Sequence, residues 1–346
     1  MSRVLVVRMS AIGDIVMASA LIPALRRTWP TAYLAWLTEP AGAPLLRHNP
    51  RLDEVLVWPR DEWHRLSSAG HYRALARAVA RFYRELRGRG FDLVLDTQGL
   101  LKSAVWARVT GAPRRVGLGS REGSQWLMTE TLGRKTVSRR VGAEYLILAG
   151  YLGLEVGDFP MDVPVGDAPR ASARELLAGE GITGDYAVLC PFTTRPQKHW
   201  VEDRWAELAV RLPASTGLLP LILGGPDDRA AAESIVTASG GQARTLAGRT
   251  ALDESLAVVA EARLVVGVDT GLTHLGLAHR VPTVAIFGAT RPYLDPGTSL
   301  ATVLYEPLPC SPCKRSPTCH GRFDCMRQHT VGGVLEAASI VLARAG

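Results

Sequence analysis

Leu264-Val265-Val266-Gly267-Val268-Asp269-Thr270-Gly271-Leu272-Thr273-His274 is the stretch on which the fold turns. Its first five residues are apolar with no polar alternation, which predicts a strand buried on both faces, as in a parallel sheet. Asp-Thr-Gly follows at once and opens an apolar segment of helical pattern. The amides of Thr270 and Gly271 are then left unpaired at a helix N-terminus, where the helix dipole favours an anion such as phosphate. Asp269 cannot bind phosphate, but it can cap the helix or accept hydrogen bonds from hydroxyls. His274 lies one turn into the helix; packing is the commoner role there, although four residues of helix keep it near the same edge.

The same strand-to-loop grammar recurs on both sides of this stretch. Strands are expected at Tyr186–Cys190, Leu218–Gly224, Ala243–Leu246 and Thr283–Phe287. An earlier set is expected at Arg3–Arg8, Tyr33–Leu37, Glu54–Trp58 and Phe91–Asp96, with helices over Asp14–Arg27 and Gly70–Gly88. Between the sets, Gly157–Ala168 is rich in Gly, Pro and Asp and reads as a linker. Strands alternating with helices argue for parallel sheets covered on both faces. The chain is therefore expected to be an α/β protein with two doubly wound, Rossmann-like domains facing across a cleft, residues 1–165 and 166–346. A ligand is expected in that cleft.

Three further strand ends carry chemistry. Thr193-Thr194-Arg195-Pro196-Gln197-Lys198 supplies two hydroxyls and a mobile ammonium that could neutralise a leaving diphosphate. Met9-Ser10-Ala11-Ile12-Gly13-Asp14 puts a glycine and a carboxylate after the first strand, at the sheet edge where active-site groups collect, with N-capping of the helix as the simpler role for Asp14. No GxGxxG is present there, so the dinucleotide fingerprint is absent. Gly224-Gly225-Pro226-Asp227-Asp228 reads as a turn with an N-cap, or as a site for a sugar hydroxyl. Cys310, Cys313, Cys319 and Cys325 form C-x2-C-x5-C-x5-C, with His320 and His329 nearby. A structural zinc is the leading expectation, with an iron–sulfur cluster and unliganded or disulfide-bonded cysteines as the alternatives.

Composition narrows the partners. The 346 residues are 47% hydrophobic, with a net charge of +7. No apolar run is long enough to span a bilayer, and Ile15–Leu25 lacks a cleavage pattern, so a cytoplasmic protein is expected. Residues 1–165 carry 23 Lys and Arg against 15 Asp and Glu, whereas the remainder carries 17 against 18. The first half is thus expected to meet something anionic. Nucleic acid is disfavoured because aromatics do not interleave with the basic residues. Lysine is scarce: Lys102, Lys135, Lys198 and Lys314 are the full set.

Together RVLVVRMSAIGD at the start, FDLVLDTQGLLKSA at 91–104, TTRPQKHW at 193–200 and LVVGVDTGLTHL at 264–275 resemble the bacterial lipopolysaccharide heptosyltransferases, glycosyltransferase family 9. The order and approximate spacing of the motifs are kept over nearly the whole chain. TTRPQKHW is most similar to the members called heptosyltransferase I, whereas the cysteine segment looks more like heptosyltransferase II.

The resemblance implies a GT-B fold with an N-terminal acceptor domain and a C-terminal ADP-heptose domain. It also implies inverting transfer to the Kdo (3-deoxy-octulosonate) of Kdo-lipid A, with no cofactor in the reaction and peripheral attachment to the inner membrane. By motif, Asp14 corresponds to the general base and Lys198 to the residue that offsets charge on the departing ADP. Thr193, Thr194, Asp228, Thr250, Asp269, Thr270, Gly271 and His274 correspond to donor-binding positions. His64, Arg65, Lys102 and Arg121 correspond to acceptor-binding positions, the first two in a basic loop. A terminal helix packing back on the N-terminal domain is also expected. Other acceptors within the family, and a non-catalytic nucleotide-sugar binder on the same fold, are the alternatives.

Overall fold

The computed structural model describes residues 2–313 and 316–346; Lys314 and Arg315, inside the cysteine-rich segment, lie outside the described residues. The chain divides into two compact units, 1–138 with 142–164, and 165–346 with 139–141.

Unit 1 begins with β1 (Arg3–Val7), α1 (Ile12–Ala18) and α2 (Leu21–Thr28), then β2 (Tyr33–Thr38) and β3 (Glu54–Val57). It continues through α3 (Arg60–Ser68), α4 (Tyr72–Gly88), β4 (Leu93–Asp96), α5 (Leu101–Val109), β5 (Arg114–Leu118), β6 (Glu130–Leu132) and α6 (Ala143–Tyr151). All pairings are parallel, in the order β3-β2-β1-β4-β5-β6. Leu5, Val7, Val94, Phe82, Leu86 and Trp106 close the core on one face of this sheet.

Unit 2 begins with α7 (Asp167–Gly179), β7 (Tyr186–Cys190), α8 (Glu202–Thr216), β8 (Leu219–Ile222) and α9 (Arg229–Ala238). Next come β9 (Arg244–Thr245), α10 (Leu252–Ala260), β10 (Leu264–Val268), α11 (Gly271–Ala278) and β11 (Thr283–Ile286). β12 (Ala301–Leu304), α12 (Asp324–Arg327) and α13 (Val331–Ala343) complete it. Its strand order is β12-β11-β10-β7-β8-β9, again parallel. Val331, Val334, Ala338 and Val341 of α13 join the core of unit 2, and the helix packs on α8, β11 and β12. α13 thus contributes core residues to its own unit.

Other boundaries also moved for physical reasons. The helix expected over Asp14–Arg27 starts earlier, at Ile12, and breaks around Ser19–Ala20. Pro23 has no N–H to continue the ladder and is tolerated only in a first turn, so a new helix starts at Leu21. Gly13 accordingly lies within α1. β5, β6 and β12 were not anticipated. β5 opens on two arginines, β6 has three residues, and β12 is a half-exposed edge strand, so none shows a long apolar run.

Candidate active site

Parallel strands deliver their loops to one edge of a sheet. In unit 2 the winding reverses between β7 and β10: the chain runs outward through β8 and β9 on one side and through β11 and β12 on the other. At such a switch point the loops part and leave a ligand crevice. Thr193–Lys198 follows β7 and Asp269–His274 follows β10, so the two motifs singled out in the sequence meet there.

Asp269 is the hub. Its Oδ2 pairs with Lys198 Nζ at 2.9 Å, and its Oδ1 lies 3.3 Å from His274 Nε2. Thr290 Oγ1 donates to Oδ2 at 2.7 Å, and the other ring nitrogen of His274 meets the Tyr293 hydroxyl at 3.0 Å. Burial alone would raise the Asp269 pKa. The hydrogen bond and charge of His274, then those of Lys198, overcome it and hold the carboxyl well below the usual carboxylate range. Burial, reinforced by Asp269, pushes the Tyr293 hydroxyl well above its ordinary value. Lys198 and Asp269 are thus a pair rather than two independent contacts, and His274 is buried in the same cluster.

α11 begins with Thr270 as its extended N-cap, and the Thr273 hydroxyl donates to Val268 O at 2.7 Å. Gly267 makes this approach possible. A Cβ there would stand 2.1 Å from Thr273 Oγ1 and 2.7 Å from Cys190 Cβ. Lys198 is thus paired to the residue that immediately precedes the N-cap of α11.

The remaining donor-side positions are differently engaged. Thr193 is half-buried and Thr194 exposed on the β7 loop. Asp228 Oδ2 accepts from Gly225 N at 2.8 Å and so caps its own turn, as the simpler reading had it. Thr250 Oγ1 bonds Ser255 Oγ at 2.7 Å. These two follow β8 and β9, one and two strands beyond β7, and among the described residues no ion pair joins them to the Asp269 cluster.

In unit 1 the switch point lies between β1 and β4. Asp14 follows β1 and forms an ion pair with Arg8, which is 4% exposed and also donates to Thr97 O at 2.6 Å. Burial would lower the Arg8 pKa; Tyr145, Asp14 and Glu144 together raise it, so the guanidinium stays charged. Asp14 Oδ2 reaches the Ala11 amide only at 3.5 Å, and Ala11 is the N-cap, so capping is its lesser interaction. The Asp14 side chain remains 39% exposed.

The β4 loop braces this group. Gln98 Oε1 accepts from Met9 N at 2.8 Å and Ser10 N at 3.3 Å. Asp96, fully buried and raised in pKa by burial, accepts from the amides of Gln98 and Gly99 and from Ser103 Oγ. Gly99 (φ +68°) turns back against Leu118 O and Gly119 O, both 2.7 Å from where a Cβ would stand.

Among the acceptor-side candidates, Lys102 is not free: its Nζ pairs with Glu39 Oε1 at 2.7 Å, and Arg60 stands 3.6 Å from the other carboxylate oxygen. His64 and Arg65 are exposed on helix α3, which corrects the expectation of a basic loop. Arg121 is exposed, and its amide bonds Ser124 Oγ and Gly99 O. Arg8, Glu39, Gln98, Thr290 and Tyr293 were missed. Each follows or ends a strand, so the strand-edge rule would have found them.

All five cysteines are free thiols. Burial and the neighbouring Cys313, Cys310 and Cys319 push the Cys325 thiol up to about 11, so the four sulfurs sense one another. Among the described residues, however, no three His, Cys, Asp or Glu side chains converge as a metal site. His329 is committed through Nε2 to Phe287 O at 2.9 Å. A zinc shell would require the sulfurs to draw together.

The profile of glycosyltransferase family 9 (heptosyltransferase) matches residues 79–322. Lipopolysaccharide heptosyltransferase 1 of Pseudomonas aeruginosa is 31% identical over 92% of this chain and 87% of its own. The protein of the same name from Salmonella typhimurium is 30% identical over 85% and 91%. A glycosyl transferase family 9 crystal structure from Veillonella parvula superposes with a TM-score of 0.85, at 20% identity, over 99% of this chain and 98% of that one. The chain therefore belongs to glycosyltransferase family 9, the heptosyltransferase family, and is a glycosyltransferase of the GT-B fold.

Proposed function

We propose that the protein transfers L-glycero-D-manno-heptose from ADP-heptose to the Kdo of Kdo-lipid A, with inversion, at the cytoplasmic face of the inner membrane. The observation that carries this reading is the Lys198–Asp269–His274 cluster beside the N-terminus of α11. It offers a cation and free amides to a diphosphate, and a deprotonated carboxylate to sugar hydroxyls. Unit 2 is then the donor-binding unit and unit 1 the acceptor-binding unit.

In this reaction Asp14 takes the proton from the acceptor hydroxyl while that oxygen attacks the heptose anomeric carbon. The bond from that carbon to the diphosphate oxygen breaks with its electron pair, and ADP departs. One displacement inverts the centre. Lys198 exchanges part of its pairing with Asp269 for the diphosphate and offsets the charge that develops there. The reading uses no cofactor in the reaction. Arg8 and Gln98 hold Asp14 and its loop without touching substrate. Arg121, His64, Arg65 and Lys102, the last released from Glu39, receive the acidic acceptor.

The test is ADP release from ADP-heptose, with heptose-free Kdo-lipid A compared against the same acceptor already bearing one heptose. Turnover with the first alone supports the reading. Turnover with the second alone overturns the acceptor and favours the heptosyltransferase II-like alternative, to which the cysteine segment points. Release with neither overturns both. We also propose a structural zinc on Cys310, Cys313, Cys319 and Cys325, for which metal analysis of the purified protein finding about one zinc per chain is the expected result. An iron–sulfur cluster would instead show visible absorption.

A further inference from the structure

α4 and α5 cover the same face of the sheet in unit 1. α4 buries Ala78, Phe82 and Leu86, α5 buries Ala104, Trp106 and Ala107, and the rings of Phe82 and Trp106 meet edge-to-face at 5.0 Å. Arg87 near the end of α4 lies against Gly111 just past α5. The outward faces of the two helices are therefore neighbours.

On α4, Arg73, Arg77, Arg81, Arg84 and Arg87 fall within an arc of about 120° around the helix axis, and all are exposed. Among the described residues none of the five pairs with a carboxylate; Arg77 and Arg84 bond only backbone oxygens of their own helix. On α5, Leu101 and Val105 are exposed one turn apart, at 46% and 40%. The short turn Ser124–Leu127 packs on α5 and carries Trp126, which is 85% exposed. An isolated basic stripe is most often a solvated face. A basic stripe beside an exposed tryptophan and two aliphatic side chains is a different object, because solvent gives those three nothing.

We infer that this face docks on an anionic lipid bilayer, with the α4 arginines on headgroup phosphates and Trp126, Leu101 and Val105 in the interfacial layer. Charge complementarity selects the occupant. The arginines need a diffuse negative surface. A nucleic acid backbone would leave the aliphatic side chains unrewarded, and a two-fold contact between copies would set like stripes against each other. Tryptophan is at home at the headgroup boundary, where its ring is buried and its N–H stays wet. No described helix is long and apolar enough to cross a membrane. The inference deepens the proposed function, since it presupposes an acceptor carried in a membrane.

The test is co-sedimentation of the full chain with vesicles of three parts phosphatidylcholine to one part phosphatidylglycerol, and with phosphatidylcholine alone. Three variants are compared: Arg73→Gln/Arg77→Gln/Arg84→Gln, Trp126→Ser, and Arg211→Gln on the solvent face of α8 as a control. The wild type is expected to bind only the anionic vesicles and to be released by salt. At roughly fivefold per arginine, the triple variant loses on the order of a hundredfold in partitioning. Trp126→Ser loses severalfold, and the control is unchanged. Brominated phospholipid is expected to quench part of the wild-type emission, a part missing in Trp126→Phe.

Equal binding by all variants, or no vesicle binding, overturns the inference. So does a change in oligomeric state caused by these variants without vesicles, or loss of duplex DNA binding equal to the loss of vesicle binding. ADP release is followed in parallel with an acyl-free Kdo acceptor, which needs no membrane. Release without vesicle binding overturns this surface alone, whereas vesicle binding without release overturns the proposed function alone.

Discussion

Single side chains carry the chemistry, and each can be separated from its neighbours. Asp14→Ala is expected to lower kcat by about a hundredfold or more, the range of a general base, while calorimetry finds ADP binding retained. Near-normal turnover would reduce Asp14 to a partner of Arg8. Arg121→Ala should raise the acceptor KM more than the donor KM; equal effects on both would remove it from the acceptor site. Asp269 adds a pH signature. Its folded pKa is depressed, so its contribution to stability is complete above the unfolded value of about 3.9 and is lost as pH falls below that toward the folded value. Asp269→Asn should therefore cost about 3 kcal/mol in urea unfolding at neutral pH, because Lys198 is left largely buried without its partner. The cost should shrink below about pH 4. A difference between the two proteins that holds constant through that range would mean the ion pair contributes no stability.

At the scale of elements, the Asp269 cluster depends on how closely α11 starts against β10 and β7. Gly267→Ala would drive a methyl into Thr273 Oγ1 and Cys190 Cβ, neither of which is the free end of a long side chain. A loss of about 1–3 kcal/mol is expected, the usual cost of overpacking, with a larger proportional loss of ADP affinity as the α11 amides shift. Titration calorimetry with ADP checks it, and unchanged affinity would place the diphosphate elsewhere. The same scale shows why some elements were hard to read. β10 and β7 are wholly buried and announce themselves as apolar runs, whereas β6 and β12 are short or half-exposed edge strands whose existence depends on a neighbour. The break between α1 and α2 has a signal in Pro23 that the expectation of one helix over Asp14–Arg27 passed over. The early start of α1 was not legible, because Asp14 is equally acceptable as a cap or as a third helical residue near the positive helix end.

Across the whole molecule, the uneven charge makes a testable distinction between the two proposed substrates. With its excess of basic residues, unit 1 should bind an acidic acceptor by attraction that salt screens, so raising ionic strength is expected to increase the acceptor KM while moving the donor KM less. A parallel rise in both constants would show that the charge excess is uninvolved in acceptor capture.

What the sequence determined alone was whatever local pattern and short motifs encode. Apolar strand periodicity, helix starts after Asp or Thr, and a Gly- and Pro-rich divide establish two parallel α/β units and mark Asp14, Lys198 and Asp269. Partnerships belonged to the tertiary structure. Lys198 and Asp269 are seventy-one residues apart and form an ion pair only because β7 and β10 are adjacent at the switch point. Arg8 reaches the β4 loop and Glu39 occupies Lys102 for the same kind of reason. A motif fixes which groups are available within a few residues of each other. Which of them are buried together, and therefore charged, paired or free, depends on strand order, and strand order is set by packing between segments distant in the chain.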